Sequence, residues 1–261
     1  MARPAATVLL LRDGPDGVGL QVFLQRRVAG MSFAGGATVF PGGGVHESDR
    51  PRPEHWAGPD PDAWAARLGV PANAARTNAL AAVRETFEEC GVLLAERADG
   101  APVPAAVLAA GRDDLVAHRR SFADLLGDTG LVVRSDLLHA WARWITPVTQ
   151  PRRYDTVFFT ALVPAGQRAD DHTTEAVEAR WWTPAAALSG HESGEIALMR
   201  PTLAHLRTLS GLDDAAAVHA AAQDRDITAI LPMEISGGNG IDVLLPGDAG
   251  YDPVIASGGV R

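Results

Sequence analysis

Three glutamates, Glu85, Glu88 and Glu89, fall within the stretch AAVRETFEECGVLL (residues 81–94), preceded by Arg84 and followed by the helix-stopping Gly91. At about 100° per residue of helix, Glu88 and Glu89 lie roughly 60° and 40° to either side of Glu85, so the three carboxylates share one narrow face. Leu80, Val83, Phe87 and Cys90 gather on the opposite face. That apolar stripe goes to the core and the acids face out of it. Glu85 and Glu89 are a like-charge i,i+4 pair, unfavourable by roughly 0.2–0.5 kcal/mol. They also sit in the last turns, where the helix macrodipole disfavours anions by about 0.3–1 kcal/mol each. Four residues beyond Glu88 and Glu89 stand Val92 and Leu93, so no cation answers from that side, and Arg84 precedes them in the poorer order. Local rules broken together mark functional sites. A bound divalent cation is the simplest compensation, and carboxylate oxygens suit the hard ions Mg2+ and Mn2+; a solvated acidic face is the competing explanation.

The elements that must position this face can be read around it. Its helix begins between Pro71 and Asn78 and stops at Gly91. Residues 7–11 and 20–25 read as strands joined through the turn-rich RDGPDGVG, as in a hairpin. VFPGGG (39–44) reads as a short apolar step followed by a glycine-rich loop. Residues 48–78, dense in Pro, Asp and Arg, read as an inserted loop with a short helix around 64–68. Helical segments are expected over 103–127. LHAWARWITP and YDTVFFTALVP read as strands, EARWWTPAAAL as a strand running into a helix, and RPTLAHLRTLSG as a helix ending at Gly211. The tail holds one alanine-rich helix, then a hairpin in which ITAILPMEI and IDVLLP flank SGGNG.

Composition narrows the chemistry. The chain has 261 residues and a formal net charge of −9, which argues against nucleic acid or anionic lipid as partners. All 23 basic residues are arginine, which removes a phosphate-loop or Schiff-base lysine; with the abundant alanine, this suggests a GC-rich bacterial genome. A polyanionic substrate would need clustered arginines or a metal. The single cysteine, Cys90, excludes an internal disulfide and a cysteine zinc site. The chain therefore reads as cytoplasmic, with Cys90 a core thiol. The apolar run at 5–11 reads as a strand, and no stretch approaches the ~18 apolar residues of a membrane span.

RETFEECGV (84–92) resembles the REUxEExGU half of the Nudix box, and FPGGGVHESD (40–49) resembles its glycine-rich half, with Gly43 as the box glycine and Asp49 in place of the usual glutamate. The chain is thus identified as similar to the Nudix hydrolases. Asp49 and Arg84 are separated by 34 residues, an insertion of the kind found in the coenzyme A diphosphatase branch. WITP, RRYDTVFF, EARWWTP and GEIALMRPTLAHL resemble the same branch. GATVFPGG (36–43) fits one end of a motif tied to coenzyme A recognition, although Ser32 stands where that motif has an arginine.

The resemblance implies an α/β/α sandwich with a mixed, curved sheet. It implies a catalytic domain over 1–210, with the insertion at about 49–78, and a C-terminal helix-hairpin extension over 211–261 that packs on the domain or on a partner subunit of a homodimer. It implies metal-dependent hydrolysis of a nucleoside diphosphate derivative, with coenzyme A or an acyl-CoA foremost. ADP-ribose, an NADH-type dinucleotide or a capped RNA end are alternatives, as is a non-catalytic sensing module on the same fold. By resemblance Glu85, Glu88 and Glu89 are metal ligands for Mg2+ or Mn2+, and Arg84 holds them in place. One of these glutamates, or Glu175 on a distant loop, is the general base. Gly42, Gly43 and Gly44 let backbone approach the metal or phosphate. Arg26 and Arg153, with Arg27 and Arg152, are candidates to meet substrate phosphates, against surface solvation. Tyr154, Trp181 and Trp182 are candidates to stack on a base, against core packing. Whether Asp49 takes part is left open.

Overall fold

The computed structural model describes residues 1–31, 34–49, 55–173, 175–237 and 240–258; Ser32 lies outside them. The strands are β1 (Arg3–Asp13), β2 (Leu20–Arg27), β3 (Thr38–Val39), β4 (Gly42–Gly44), β5 (Trp56–Ala57), β6 (Ala95–Arg97), β7 (Leu131–Arg134), β8 (His139–Ile145), β9 (Tyr154–Leu162), β10 (Ala176–Trp182), β11 (Met233–Gly237) and β12 (Gly240–Leu244). The helices are α1 (Pro61–Leu68), α2 (Ala72–Cys90), α3 (Ala105–Val116), α4 (Phe122–Thr129), α5 (Pro184–Glu192), α6 (Arg200–Leu209), α7 (Ala215–Asp224) and α8 (Pro253–Ala256).

The main sheet runs β10-β2-β1-β9-β8, with β3 added to β2 and β4 to β1. It is mixed: β1 and β9 pair in parallel, the other pairs antiparallel. Strand periodicity divides the core between its faces. Ala6, Val8, Leu10 and Phe159 point to one side, against Leu80, Val83 and Phe87 of α2 and the apolar residues of α1, α3 and α4. Leu9, Leu11, Trp141 and Phe158 point to the other, against α5, α6 and α7. The result is the expected α/β/α sandwich. A smaller sheet, β5-β7-β6, and the β11–β12 hairpin flank it.

Several sequence expectations change. Gly42–Gly44 is a strand, not a loop: Ala6 faces Gly43 in an antiparallel ladder with β1. Within the insertion, the expected short helix is α1, slightly longer than read, and α2 starts at Ala72, inside the expected range. The small sheet escapes the periodicity argument because its strands have only two to four residues. Most importantly, α2 is buried almost all round: Glu85 and Glu89 are 8% and 3% exposed. Its acid face therefore looks under β4 rather than into water. Gly91 ends the helix as expected, with φ +72° and its N–H on the Phe87 carbonyl.

The last residues return to the sheet. Ile230 donates to the Arg143 carbonyl and accepts from the Ile145 amide, beside β8. The hairpin forms with Met233 opposite Leu244; residues 238 and 239 of its turn lie outside the described residues.

Candidate active site

Arg84 organises the acids. It is 3% exposed, and its Nε and Nη2 donate to the two oxygens of Asp49 at 2.6 and 3.0 Å. Nη2 also reaches the Gly44 carbonyl at 2.9 Å, and Nη1 donates to Glu85 at 2.8 Å and Glu88 at 3.2 Å. The planar fork thus ties the glycine-rich half of the motif to the helical half. Asp49, fully buried at the end of the short helical turn Glu47–Asp49, is thus bonded to Arg84 across the 34-residue separation. Far from failing to answer the glutamates, Arg84 holds two of them. The cation missing at the C-terminus of α2 comes from α3: Arg112 Nε donates to the Glu88 carbonyl at 3.1 Å, and its Nη1 pairs with Asp170.

Glu89 points the other way, under β4. Its Oε2 accepts from the Gly42 amide at 2.7 Å and from Gln25 of β2. Its Oε1 is buried with no hydrogen-bond partner. Burial pushes the Glu89 carboxyl well above its usual range, and the neighbouring Glu85 pushes it further. Burial likewise raises Glu85 to about 7, Arg84 pulling it back and Glu88 pushing it up. Glu88 is raised by burial too, against Arg84. Gly43 lies directly over this pair: a Cβ there would stand 2.5 Å from Glu85 Oε1.

Among the described residues, no three His, Cys, Asp or Glu side chains already converge as a metal cage. The donor set nonetheless fits a divalent cation on two counts. An orphaned carboxylate oxygen is buried beside a second acid, and all three glutamates are held where charge is disfavoured unless a cation compensates it.

These groups open onto a cavity of about 680 Å3. Of them Glu85 and Glu88 line it with Gly42–Gly44; Arg27, Glu175 and Arg200 are among the other polar walls and Trp144, Tyr154 and Phe158 among the apolar ones. Glu175 is more than half exposed on its loop and lies 3.5 Å from Arg27 Nη2.

The structure leaves three expected phosphate contacts, Arg26, Arg152 and Arg153, outside the cavity lining. Arg26 points to the opposite side of β2 and pairs on the surface with Glu178; Arg153 Nε donates to the Thr146 carbonyl. Strand alternation would have chosen Arg27 over Arg26, since Gln25 and Arg27 share the inward side of β2. Trp181 packs on Phe23 under Arg12, and Trp182 lies under Arg180, so neither lines the cavity. Cys90 donates to the Thr86 carbonyl, and burial pushes its thiol up to about 12, as befits an inert core residue. Arg200 was missed because nothing in GEIALMRPTLAHL distinguishes its arginine from a surface one.

The family model described as the NUDT19 Nudix domain matches residues 62–209. Human acyl-coenzyme A diphosphatase NUDT19 is 28% identical over 276 residues, spanning 91% of this chain and 74% of its own length. The chicken (Gallus gallus) protein of the same name is 28% identical over 300 residues, spanning 95% and 79%. Among solved structures, a Nudix hydrolase from Alicyclobacillus acidocaldarius superposes with a TM-score of 0.63 at 30% identity, covering 84% of this chain and 96% of its own. The match over more than half of the chain, together with the Arg84-centred box, places this protein in the Nudix family, with the NUDT19 Nudix domain.

Proposed function

We propose that this chain hydrolyses the diphosphate bond of coenzyme A or an acyl-CoA, releasing phosphopantetheine, or its acylated form, and adenosine bisphosphate. The observation that carries the reading is the buried Glu85–Glu89 pair beneath Gly42–Gly44, whose Glu85, with Glu88, lines a cavity of about 680 Å3. The similarity to acyl-coenzyme A diphosphatases over nearly the whole chain supports the choice of substrate.

Glu85, Glu88 and Glu89 are the residues that would hold Mg2+ or Mn2+. Such an ion, when bound, neutralises the diphosphate and the charge developing on it in the transition state. Arg84 sets the positions of Glu85 and Glu88, and Asp49 sets the position of Arg84. The Gly42 amide and Gln25 fix the rotamer of Glu89. Water adds to one phosphorus as the bridging P–O bond breaks, and a carboxylate takes its proton. Glu175, on the cavity wall, and the helix glutamates are the candidates for that base. Arg27, which lines the cavity where Arg26 does not, would meet a phosphate oxygen.

The test is turnover of a panel of CoA, octanoyl-CoA, ADP-ribose and NADH with either metal, the products being identified by mass. Cleavage of the CoA compounds to the two named halves is expected. Cleavage of ADP-ribose or NADH in their place would refute the substrate assignment, and binding without turnover would refute the enzyme.

A further inference from the structure

The sheet order lays out the cavity walls along one line. Glu85 lies under Gly43, on β4, which pairs with β1 at the middle of the sheet. On one side is β2, which carries Arg27. Beside it β3 bonds the segment leading to Arg200: the Thr38 amide donates to the Ala197 carbonyl at 2.7 Å. Arg200 makes no ion pair among the described residues and lines the cavity. On the other side β8 lies two strands from β1, about 10 Å away at the usual interstrand spacing.

Beyond β8 the wall belongs to the C-terminal extension. Pro232, Glu234 and Val243 line the cavity there, together with Gln150. Glu234 clamps the hairpin to the β8–β9 loop, accepting from Thr149 Oγ1 and from Gln150 Nε2 at 2.9 Å. The sequence from Ile230 to Leu245 contains two acids and no arginine. The hairpin's own side chains would offer a phosphate only negative charge, whereas an uncharged chain would meet Pro232 and Val243.

We propose that the C-terminal hairpin is the specificity-determining wall for the uncharged arm of the substrate, with Pro232 and Val243 contacting the pantetheine or acyl chain, while the phosphorylated nucleoside lies toward Arg27 and Arg200. This rests on the coenzyme A reading above and deepens it by fixing which way round the substrate lies. The arm and the nucleoside occupy opposite sides of the buried glutamates, so substitutions on the two walls separate their effects.

The experiment measures, by titration calorimetry on the full chain, the binding of each half of the substrate: octanoyl-phosphopantetheine and adenosine 3′,5′-bisphosphate. Val243→Asp is expected to weaken the first tenfold or more and to leave the second unchanged; Arg200→Gln is expected to do the reverse. In turnover, Val243→Asp should lower kcat/KM for octanoyl-CoA more than for free CoA. Should Val243→Asp unfold, Val243→Thr keeps the shape and should weaken the acylated half alone by a smaller factor. A loss of bisphosphate affinity in the Val243 variants, or no change in either half, overturns the orientation. A wild-type chain that binds both halves as expected but hydrolyses neither CoA compound refutes the activity and leaves the orientation standing.

Discussion

Replacing Glu89 by Gln separates stability from activity in opposite directions. In the metal-free protein Glu85 and Glu89 are buried acids whose folded pKa values lie above the unfolded range. A raised pKa means that the folded state holds its proton longer. The contribution to stability is therefore full below about pH 4.5 and lost as pH rises through the folded value, which for Glu85 is about 7. At roughly 1.4 kcal/mol per pH unit between folded and unfolded values, Glu85 alone removes on the order of 3 kcal/mol between pH 4.5 and 8. Glu89→Gln deletes one charge of the pair and keeps an oxygen to accept from Gly42. The metal-free variant should be more stable than wild type at pH 8 by about 1–3 kcal/mol, and little changed at pH 5. For a chain of this size that is a rise in Tm of roughly 2–4 °C per kcal/mol. Hydrolysis should fall to a small residue in the same variant. Urea melts in chelator at the two pH values, beside a turnover assay, measure both. A variant that is less stable than wild type at pH 8, or that retains full turnover, refutes the account of this pair.

The remaining expectations are more local. Adding Mn2+ or Mg2+ at millimolar concentration should raise the Tm of wild type, and more at pH 8 than at pH 5.5, because the ligands must be deprotonated to bind; a shift that is equal at both, or absent, counts against the ligand set. Arg84→Ala strands the fully buried Asp49 as well as Glu85, so a loss of about 3–5 kcal/mol is expected from urea melts, and Arg84→Lys, lacking the fork, should not restore it. Gly43→Ala should push the tip of Glu85 aside with modest loss of stability, yet reduce kcat by about 100-fold; wild-type kcat in that variant would show that Glu85 need not sit there. Burial, with Arg225 adding to it, lowers His205 to about 3, so it favours folding while neutral. Its contribution is lost as pH falls from about 6.5 toward 3, and His205→Leu should flatten that part of the acid melt.

Much of the site was legible because its conflict is local. Three acids at the end of one helix break rules that can be checked residue by residue, and the glycines and Gly91 carry their backbone meaning in their identity. The large elements were legible for a similar reason: β1, β8 and β9 are long apolar runs, and α6 has a clear stripe. The sequence hid what depends on return of the chain. Whether the acids faced water or β4 could not be decided from a helical wheel, because the wheel places residues about an axis but says nothing of what covers that side. Arg112 and Asp49, which answer the charges of α2, come from 24 and 35 residues away. Arg26 and Arg27 look alike in the chain, and only a fixed strand register sends one to the surface and the other to the cavity.

The β-bridge at Ile230 has a consequence for solubility. β8 is the terminal strand of the main sheet, and Ile230 takes one amide and one carbonyl of the strand's outer row, beside Trp144. A chain cut before residue 230 would leave the Arg143 carbonyl and the Ile145 amide bare, an invitation to edge-to-edge association with another copy. The tail therefore acts as a selvedge, closing this margin of the sheet together with Arg225, whose Nε donates to the Trp141 carbonyl; at the far margin, Glu178 and Arg180 of β10 do so.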